Sequence, residues 1–218
     1  LLPVMPVAAI FFTGTIDRLR HRPAIFATVV VTFVLALFYY ADRFENRMDE
    51  HVTMMMQALR LSHPGEAVMD HKGETIYRHR PFRYPFEIIA REQLRRGMIA
   101  DTIPEDVIAA RAYVAPADGD PWPPRGRKFL LENFLDMGRL RAAGQWIGND
   151  GRFTIAIPGP YAIVDENGHV RGTLDGQAWS GSGQLDAGPH LFVPAAPGQR
   201  LAVLWAPAFE RGHSPFHL

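Results

Sequence analysis

The sequence predicts a membrane helical hairpin followed by an α+β soluble region, in which a small α/β layer precedes a C-terminal antiparallel β-sandwich. Three patterns predict this fold class. Residues 24–41 form an uncharged apolar run without Pro or Gly, strand and helix patterns alternate over 67–146, and only short strand patterns follow. We therefore expect a transmembrane hairpin with a truncated first span at 1–41, an extracytoplasmic α/β domain at 42–147 and a β-sandwich domain at 148–218.

The run from Ala24 to Ala41 has the length and composition of a membrane span. A helix of this length is about 27 Å long, close to the hydrocarbon thickness of a bilayer. Its strongly apolar residues would contribute roughly −3 to −6 kcal/mol to insertion, and Tyr39 and Tyr40 lie where an interfacial aromatic belt would be. The alternative is a helix buried in a protein core, but no polar face interrupts the run.

Residues 1–14 are apolar and contain Pro3 and Pro6, and we interpret them as the second half of another membrane helix. The loop at 17–22 is rich in arginine, more so than the residues that follow the second helix. Because basic loops stay on the cytoplasmic side, the chain from about Asp42 onward is predicted to be extracytoplasmic.

The charge balance and the lack of cysteine limit the functions that we expect of this chain. The chain has 23 Lys and Arg against 23 Asp and Glu, so nothing electrostatic favours a nucleic-acid partner. It has no cysteine, which excludes disulfides and thiolate sites and fits a protein of the bacterial envelope. We therefore expect the chain in a bacterial inner (plasma) membrane, with its soluble part outside the cytoplasm and the lipid bilayer as its first partner.

The α/β domain opens with a helix at 48–61, whose apolar residues Val52, Met55, Met56 and Leu59 recur at helical spacing. Pro85 opens another helix, and Thr102 with Glu105 has the spacing of a capping box. The alternation predicts a partly parallel sheet. The predicted strands are 67–70, 112–115 and 139–146, and the later helices are 85–96, 102–110 and 127–135.

After Trp146 the helical periodicity ends, and short apolar stretches alternate with Gly- and Pro-containing turns. Asn167 followed by Gly168 is a strong hairpin signal because both residues tolerate positive φ. This pattern predicts a small antiparallel sandwich. Its strands are expected at 153–157, 161–164, 170–174, 190–193 and 201–205.

Four residues are candidate substrate-binding residues: Arg80, Arg83, Tyr84 and Trp122. The first three lie in a basic and aromatic connector, which suits a phosphate, a sugar or an anionic headgroup. The alternative is a solvated loop whose arginines snorkel. Trp122 lies between prolines and could stack on a sugar face, or it could close the edge of a core.

Two other groupings do not predict a site. Asp70 and the nearby His71 and His79 lack a metal-ligand spacing, and they are better explained as a strand end and solvated histidines. The segment 180–183 has serines without a paired base nearby in sequence. We therefore expect no metal, no cofactor and no catalytic residue in this chain.

The order of features resembles a known kind of protein. The apolar stretch LLPVMPVAAIFF, a basic turn, a last span and a helix are followed by HPGEAVMD at 63–70. This layout resembles the C-terminal end of multispan bacterial glycosyltransferases, which are similar to the dolichyl-phosphate-mannose protein mannosyltransferases and the aminoarabinose transferases of lipid A. The resemblance implies inverting transfer of a sugar from a polyprenyl-phosphate carrier to an extracytoplasmic acceptor, a glycan or a protein.

The catalytic acidic residues of such transferases lie in a loop near the N-terminus of the full protein, so the resemblance assigns none here. The chain is then expected to be inactive alone, with a tail that covers the active site, holds donor or acceptor, or mediates assembly. The alternative is a membrane-tethered, non-catalytic envelope module that binds glycan or a protein partner. A third reading is a purely structural interaction domain.

Overall fold

The computed structural model describes residues 22–39, 48–70, 77–83, 88–117, 122–196 and 200–216. The chain divides into two units, Leu1–Met48 and Asp49–Leu218.

The described part of the first unit is helix α1, Pro23–Tyr39. Its two threonines donate side-chain hydrogen bonds to helix carbonyls, from Thr28 to Ala24 at 3.0 Å and from Thr32 to Thr28 at 2.8 Å. The helix buries none of its residues, and its large apolar side chains are 40–81% exposed, from Phe26 to Tyr39. Its surface is therefore apolar on every side.

Helix α1 covers residues 24–39 of the predicted span, and residues 40 and 41 lie outside the described residues. It has 17 residues, and a helix of that length measures about 25 Å against about 30 Å of bilayer hydrocarbon. Within the described residues, no helix combines the length and the apolarity that crossing a membrane requires. The membrane hairpin is thus unsupported, and its predicted first half, 1–14, lies outside the described residues.

The second unit contains five helices and eleven strands among its described residues. The helices are α2 (Met48–Leu61), α3 (Ile88–Arg95), α4 (Ile103–Ala109), α5 (Pro124–Asn133) and α6 (Ala206–Glu210). The strands are β1 (Val114–Pro116), β2 (Phe134–Asp136), β3 (Leu140–Trp146), β4 (Arg152–Ile155), β5 (Gly159–Asp165), β6 (Gly168–His169), β7 (Gly172–Leu174), β8 (Gln177–Trp179), β9 (Ser182–Leu185), β10 (Gly188–Pro194) and β11 (Ala202–Trp205).

The strands form two sheets. The larger has seven strands in the order β1-β3-β11-β5-β6, with β2 also paired to β3 and β9 also paired to β5. The smaller has four strands in the order β4-β10-β7-β8. Strand β11 is central in the larger sheet, and all four of its residues are buried. Val203 lies opposite Gln145 of β3 on one side and Ile163 of β5 on the other.

The α+β class with antiparallel sheets is confirmed, but the partly parallel sheet is not. Every pairing between the described strands is antiparallel, and the parallel contacts are the isolated bridges Ala67 to His79 and Val68 to Val114. The extended segment 67–70 therefore adds single bridges where a parallel strand was expected.

Strand pairing also joins residues on the two sides of the expected boundary at residue 147. Strand β3 precedes the boundary, yet it pairs with β11, which follows it. One cluster of buried side chains draws on both parts, from Met54 and Leu61 to Phe192 and Trp205. Residues 49–218 therefore share one hydrophobic core.

Candidate functional site

A pocket of about 580 Å³ opens beside Trp122, and we call it the Trp122 pocket. Helix α3, the residue Asp101 before α4 and the residues at the start of α5 supply its walls. Its lining consists of Arg91, Leu94, Arg95, Asp101, Trp122, Pro123, Pro124 and Arg125. The tryptophan is buried and Leu94 is half-buried, whereas the three arginines are exposed, so a wall with apolar side chains meets a basic rim.

Asp101 fixes this arrangement by tying α4 to α5. Its carboxylate accepts hydrogen bonds from the backbone N–H of Ile103 at 3.3 Å and of Gly126 at 3.1 Å. Gly126 allows the close approach, since a Cβ there would lie 3.2 Å from the side chain of Ile103. Arg125 donates to the backbone oxygen of Asp101 at 2.7 Å and pairs with Glu105. The rim is therefore built on hydrogen-bonded helix starts.

Trp122 belongs mainly to the core. Its side chain is 7% exposed, and its ring meets Phe82 edge-to-face with centroids 5.7 Å apart. Only a small part of the indole can touch a ligand, so stacking of a sugar on its full face is not available here. A ligand would instead contact the ring edge and the adjoining prolines.

The rim carries more positive than negative charge, because three arginines line the pocket with one aspartate. Arg95 binds Glu92 through two hydrogen bonds of 2.8 and 2.7 Å, and Arg96 binds the same carboxylate at 2.6 Å. Those two guanidinium groups lower the pKa of Glu92 to about 2. Arg91 has no ion-pair partner among the described residues. Its side chain lines the pocket and is exposed, so an anionic ligand in the pocket can reach it.

The other sequence-predicted residues lie elsewhere or are not described. Arg80 is half-buried, and its Nε atom finds no hydrogen-bond partner among the described residues. Arg83 is exposed, and neither arginine lines the Trp122 pocket. Tyr84 lies outside the described residues. Of the three candidates that the structure describes, it therefore places Trp122 alone in this pocket.

A second polar cluster joins the turn after β7 to strand β10. His190 Nδ1 lies 2.7 Å from Oδ2 of Asp175, and Nε2 lies 3.0 Å from the backbone oxygen of Asp186. The other oxygen of Asp175 accepts the N–H of Leu191 at 2.8 Å. Because both ring nitrogens face acceptors, the imidazolium form is favoured and neither nitrogen is free to act as a base. We interpret this group as a structural clasp.

The clasp shifts the pKa values of its two titrating groups, His190 and Asp175. Burial lowers the pKa of His190, but its hydrogen bonds to Asp175 and Asp186 outweigh burial, and the net shift is upward from 6.5. Burial raises the pKa of Asp175, but its bonds to His190 and Leu191 bring it below 3.8. The stabilisation by His190 is thus complete below about pH 6.5 and is lost as pH rises through the folded pKa. The stabilisation by Asp175 is present above about pH 3.8 and is lost as pH falls through the folded pKa of this carboxyl group.

Replacing Asp175 with asparagine should therefore lower the free energy of unfolding by about 1 kcal/mol near pH 5.5. It should also flatten the loss of stability as pH rises above about 6.5, since His190 then loses its charged partner. Urea unfolding of the full chain in detergent at several pH values measures both effects. Glu132→Gln, which removes one partner of an exposed ion pair with Lys128, is the control. An unchanged pH slope in Asp175→Asn would contradict the clasp.

Comparison of the chain with protein-family models, with curated proteins and with solved structures finds no match. Within the described residues, no group of three or more His, Asp or Glu side chains is placed to hold a metal ion. In the Trp122 pocket, the carboxylate of Asp101 already accepts two backbone hydrogen bonds. The chemistry that this pocket offers is binding of a ligand with an anionic group and an apolar face.

Sequence reasoning missed the arginines of the rim and Asp101. Arg91 and Arg95 lie on a short polar helix, and Arg125 follows the prolines that begin α5. The sequence did contain one signal for this site. Asp101 precedes α4, and aspartate is a residue type that accepts backbone N–H groups at a helix start.

Proposed function

We propose that the chain is the C-terminal part of a membrane-embedded bacterial glycosyltransferase that uses lipid-linked sugars, and that it holds a ligand without performing the transfer. The observation that carries this proposal is the bare apolar surface of α1, whose large side chains are all at least 40% exposed. Exposing such a surface to water costs about 25 cal/mol per Å². Lipid, together with neighbouring spans of the intact protein, would cover it.

The Trp122 pocket supplies the binding role. Guanidinium groups bind phosphate or carboxylate through charge-assisted hydrogen bonds, and the exposed Arg91 lines the pocket. The ring edge of Trp122 with Pro123 and Pro124 offers the apolar surface that the less polar side of a sugar ring can contact. The ligand that combines both features is the phosphorylated headgroup of the lipid-linked donor.

The second candidate is a membrane-tethered, non-catalytic envelope module, and the pocket favours it equally because binding needs no catalytic loop. An acidic glycan would then be the ligand. The gene sequence upstream of Leu1 separates the two candidates. Further spans with an acidic pair in the first outer loop support the transferase, and a start codon directly before Leu1 supports the tethered module.

Binding by the full chain in lipid nanodiscs tests the pocket. We expect a polyprenyl-phosphate-linked hexose to bind, and Arg91→Ala to weaken its affinity about 10-fold to 100-fold, as loss of a charge-assisted hydrogen bond implies. Arg83→Ala is the matched control, because it removes an exposed arginine outside the pocket.

The ligands separate the two candidates further. Preference for the phosphate-linked hexose over an acidic oligosaccharide supports the donor role, and the reverse preference supports the envelope module. Equal binding by the wild-type chain and Arg91→Ala, or a loss in Arg83→Ala alone, would contradict the pocket as the site.

A further inference from the structure

One side of α3 and the residues just after it present apolar and basic side chains together. We call this surface the α3 face, and it consists of Ile88, Ile89, Arg95, Arg96 and Met98. Ile88, Ile89 and Met98 are 78%, 74% and 68% exposed, more than any other large apolar side chain described in residues 49–218. The side chains of the two arginines are 72% and 63% exposed.

The orientation of α3 follows from what it buries. Ala90 is buried, and Leu94 packs against the core. At 3.6 residues per turn, Ile88 and Arg95 are then two turns apart on the opposite, outward side. The face is therefore set by the packing of the helix and does not depend on the rotamer of any one side chain.

The charges on the face are held in place. Glu92 accepts hydrogen bonds from both Arg95 and Arg96, so the two guanidinium groups are fixed side by side around one carboxylate. With Arg91, the helix segment keeps an excess of positive charge. The α3 face thus combines exposed isoleucine and methionine side chains with oriented arginines. Surfaces that lie at the interface of an anionic bilayer have this composition.

We propose that the α3 face docks on the anionic phospholipid headgroups of the membrane that holds α1. This inference rests on the proposed function, which places α1 in lipid. In the sequence, eight residues separate Tyr39, the end of α1, from Met48, the start of α2. A chain of that length spans at most about 30 Å, so the same bilayer is the surface present at the highest local concentration.

Docking would place the Trp122 pocket at the level of the headgroups, because Arg95 belongs to both the α3 face and the rim of the pocket. The phosphate of a lipid-linked ligand lies at that level. Membrane contact would thus present the pocket to its ligand.

Because the chain has no cysteine, single cysteines can carry an environment-sensitive fluorophore. We would label Ile89→Cys on the α3 face and, as a matched control, Val193→Cys, which replaces an apolar side chain 53% exposed on β10. The full chain is reconstituted into vesicles of phosphatidylcholine with or without phosphatidylglycerol. Lipids with a quencher at headgroup level report contact with the bilayer.

We expect quenching at position 89 in the anionic vesicles and not at position 193. Arg96→Glu should lower the docked-to-free ratio at least about fivefold, since loss of one basic residue at an anionic surface alone costs about 1 kcal/mol. Arg152→Glu, an exposed charge reversal on β4, should leave the ratio unchanged. Circular dichroism checks that each variant is folded.

Any of the following outcomes would overturn the proposal. Equal quenching of both labels in vesicles that retain the protein would overturn docking. Quenching of position 89 to the same extent with and without anionic lipid would overturn it too. Both outcomes would leave α1 in the membrane. Shielding of position 89 only in native membranes, and not in pure lipid, would assign the face to a protein partner. Failure of the chain to associate with vesicles at all would overturn the docking and the proposed function together.

Discussion

Replacing Val30 and Leu35 of α1 with aspartate should abolish stable association of the full chain with lipid vesicles. Each aspartate near the centre of a membrane helix costs about 2.5–3.5 kcal/mol on an insertion scale, so two cost about as much as the whole apolar run contributes. Both side chains are exposed in the structure, at 43% and 62%, so neither change removes packing within α1. Flotation of vesicles in a density gradient after a high-salt wash measures the effect, because the wash removes protein held only by surface charge.

The matched control exchanges the same two side chains, as Val30→Leu with Leu35→Val, and it keeps the apolar composition of α1. We expect this variant to float with the vesicles as the wild-type chain does. Equal flotation of the aspartate variant and the control after the wash would show that α1 is not what holds the chain to lipid.

Replacing Gly144 with alanine should destabilise residues 49–218 by about 2–3 kcal/mol. A Cβ at this position would overlap the carbonyl oxygen of Val203 and lie 3.0 Å from the Cα of Leu204, both on β11. Neither backbone atom can move alone, because β11 is paired with β3 on one side and β5 on the other. Urea unfolding followed by tryptophan fluorescence measures the loss.

Gly148→Ala is the control, since its added methyl group would meet first the end of the exposed Asp150 side chain, which can turn away. That change should cost within about 0.5 kcal/mol. We also expect Gly144→Ala to shift a single unfolding transition, because β3 and β11 share one core. Two separate transitions, with only one affected, would instead support independent domains at 42–147 and 148–218.

Local signals in the sequence were sufficient to predict most of the individual helices and strands. The pair Asn167 and Gly168 predicted a hairpin, and the structure has β5 paired with β6 there, with the carboxylate of Asp165 accepting both N–H groups of the turn. Helix α2 was predicted at its observed bounds. These features depend on residues close together in the chain, which is why pattern and turn chemistry find them.

The apolar residues that indicated helix α2 in the sequence are not the ones that the helix buries. The structure buries Met54, Ala58 and Leu61, whereas Val52 and Met56 are each 45% exposed. Three consecutive methionines fit a helical repeat in more than one frame, so periodicity alone does not choose the face. The choice depends on tertiary packing.

The sheet topology and the pocket could not be predicted for the same reason. The pairing of β3 with β11 joins residues far apart in sequence, and no local pattern encodes it. The rim of the Trp122 pocket brings Arg91 of α3 to Arg125 of α5 through the packing of three short helices. Trp122 itself was identified, because a tryptophan between prolines is conspicuous in sequence, but its burial was settled only by its contact with Phe82.

The central claim is that α1 lies in lipid, and the reactivity of single cysteines tests it most directly. The full chain in nanodiscs, with Val31→Cys, Leu35→Cys or Val193→Cys, is treated with a water-soluble maleimide before and after the lipid is replaced by denaturant. We predict that positions 31 and 35 stay unmodified until the lipid is removed, whereas position 193 reacts at once. Modification of positions 31 and 35 as fast as position 193 in intact nanodiscs would contradict the claim.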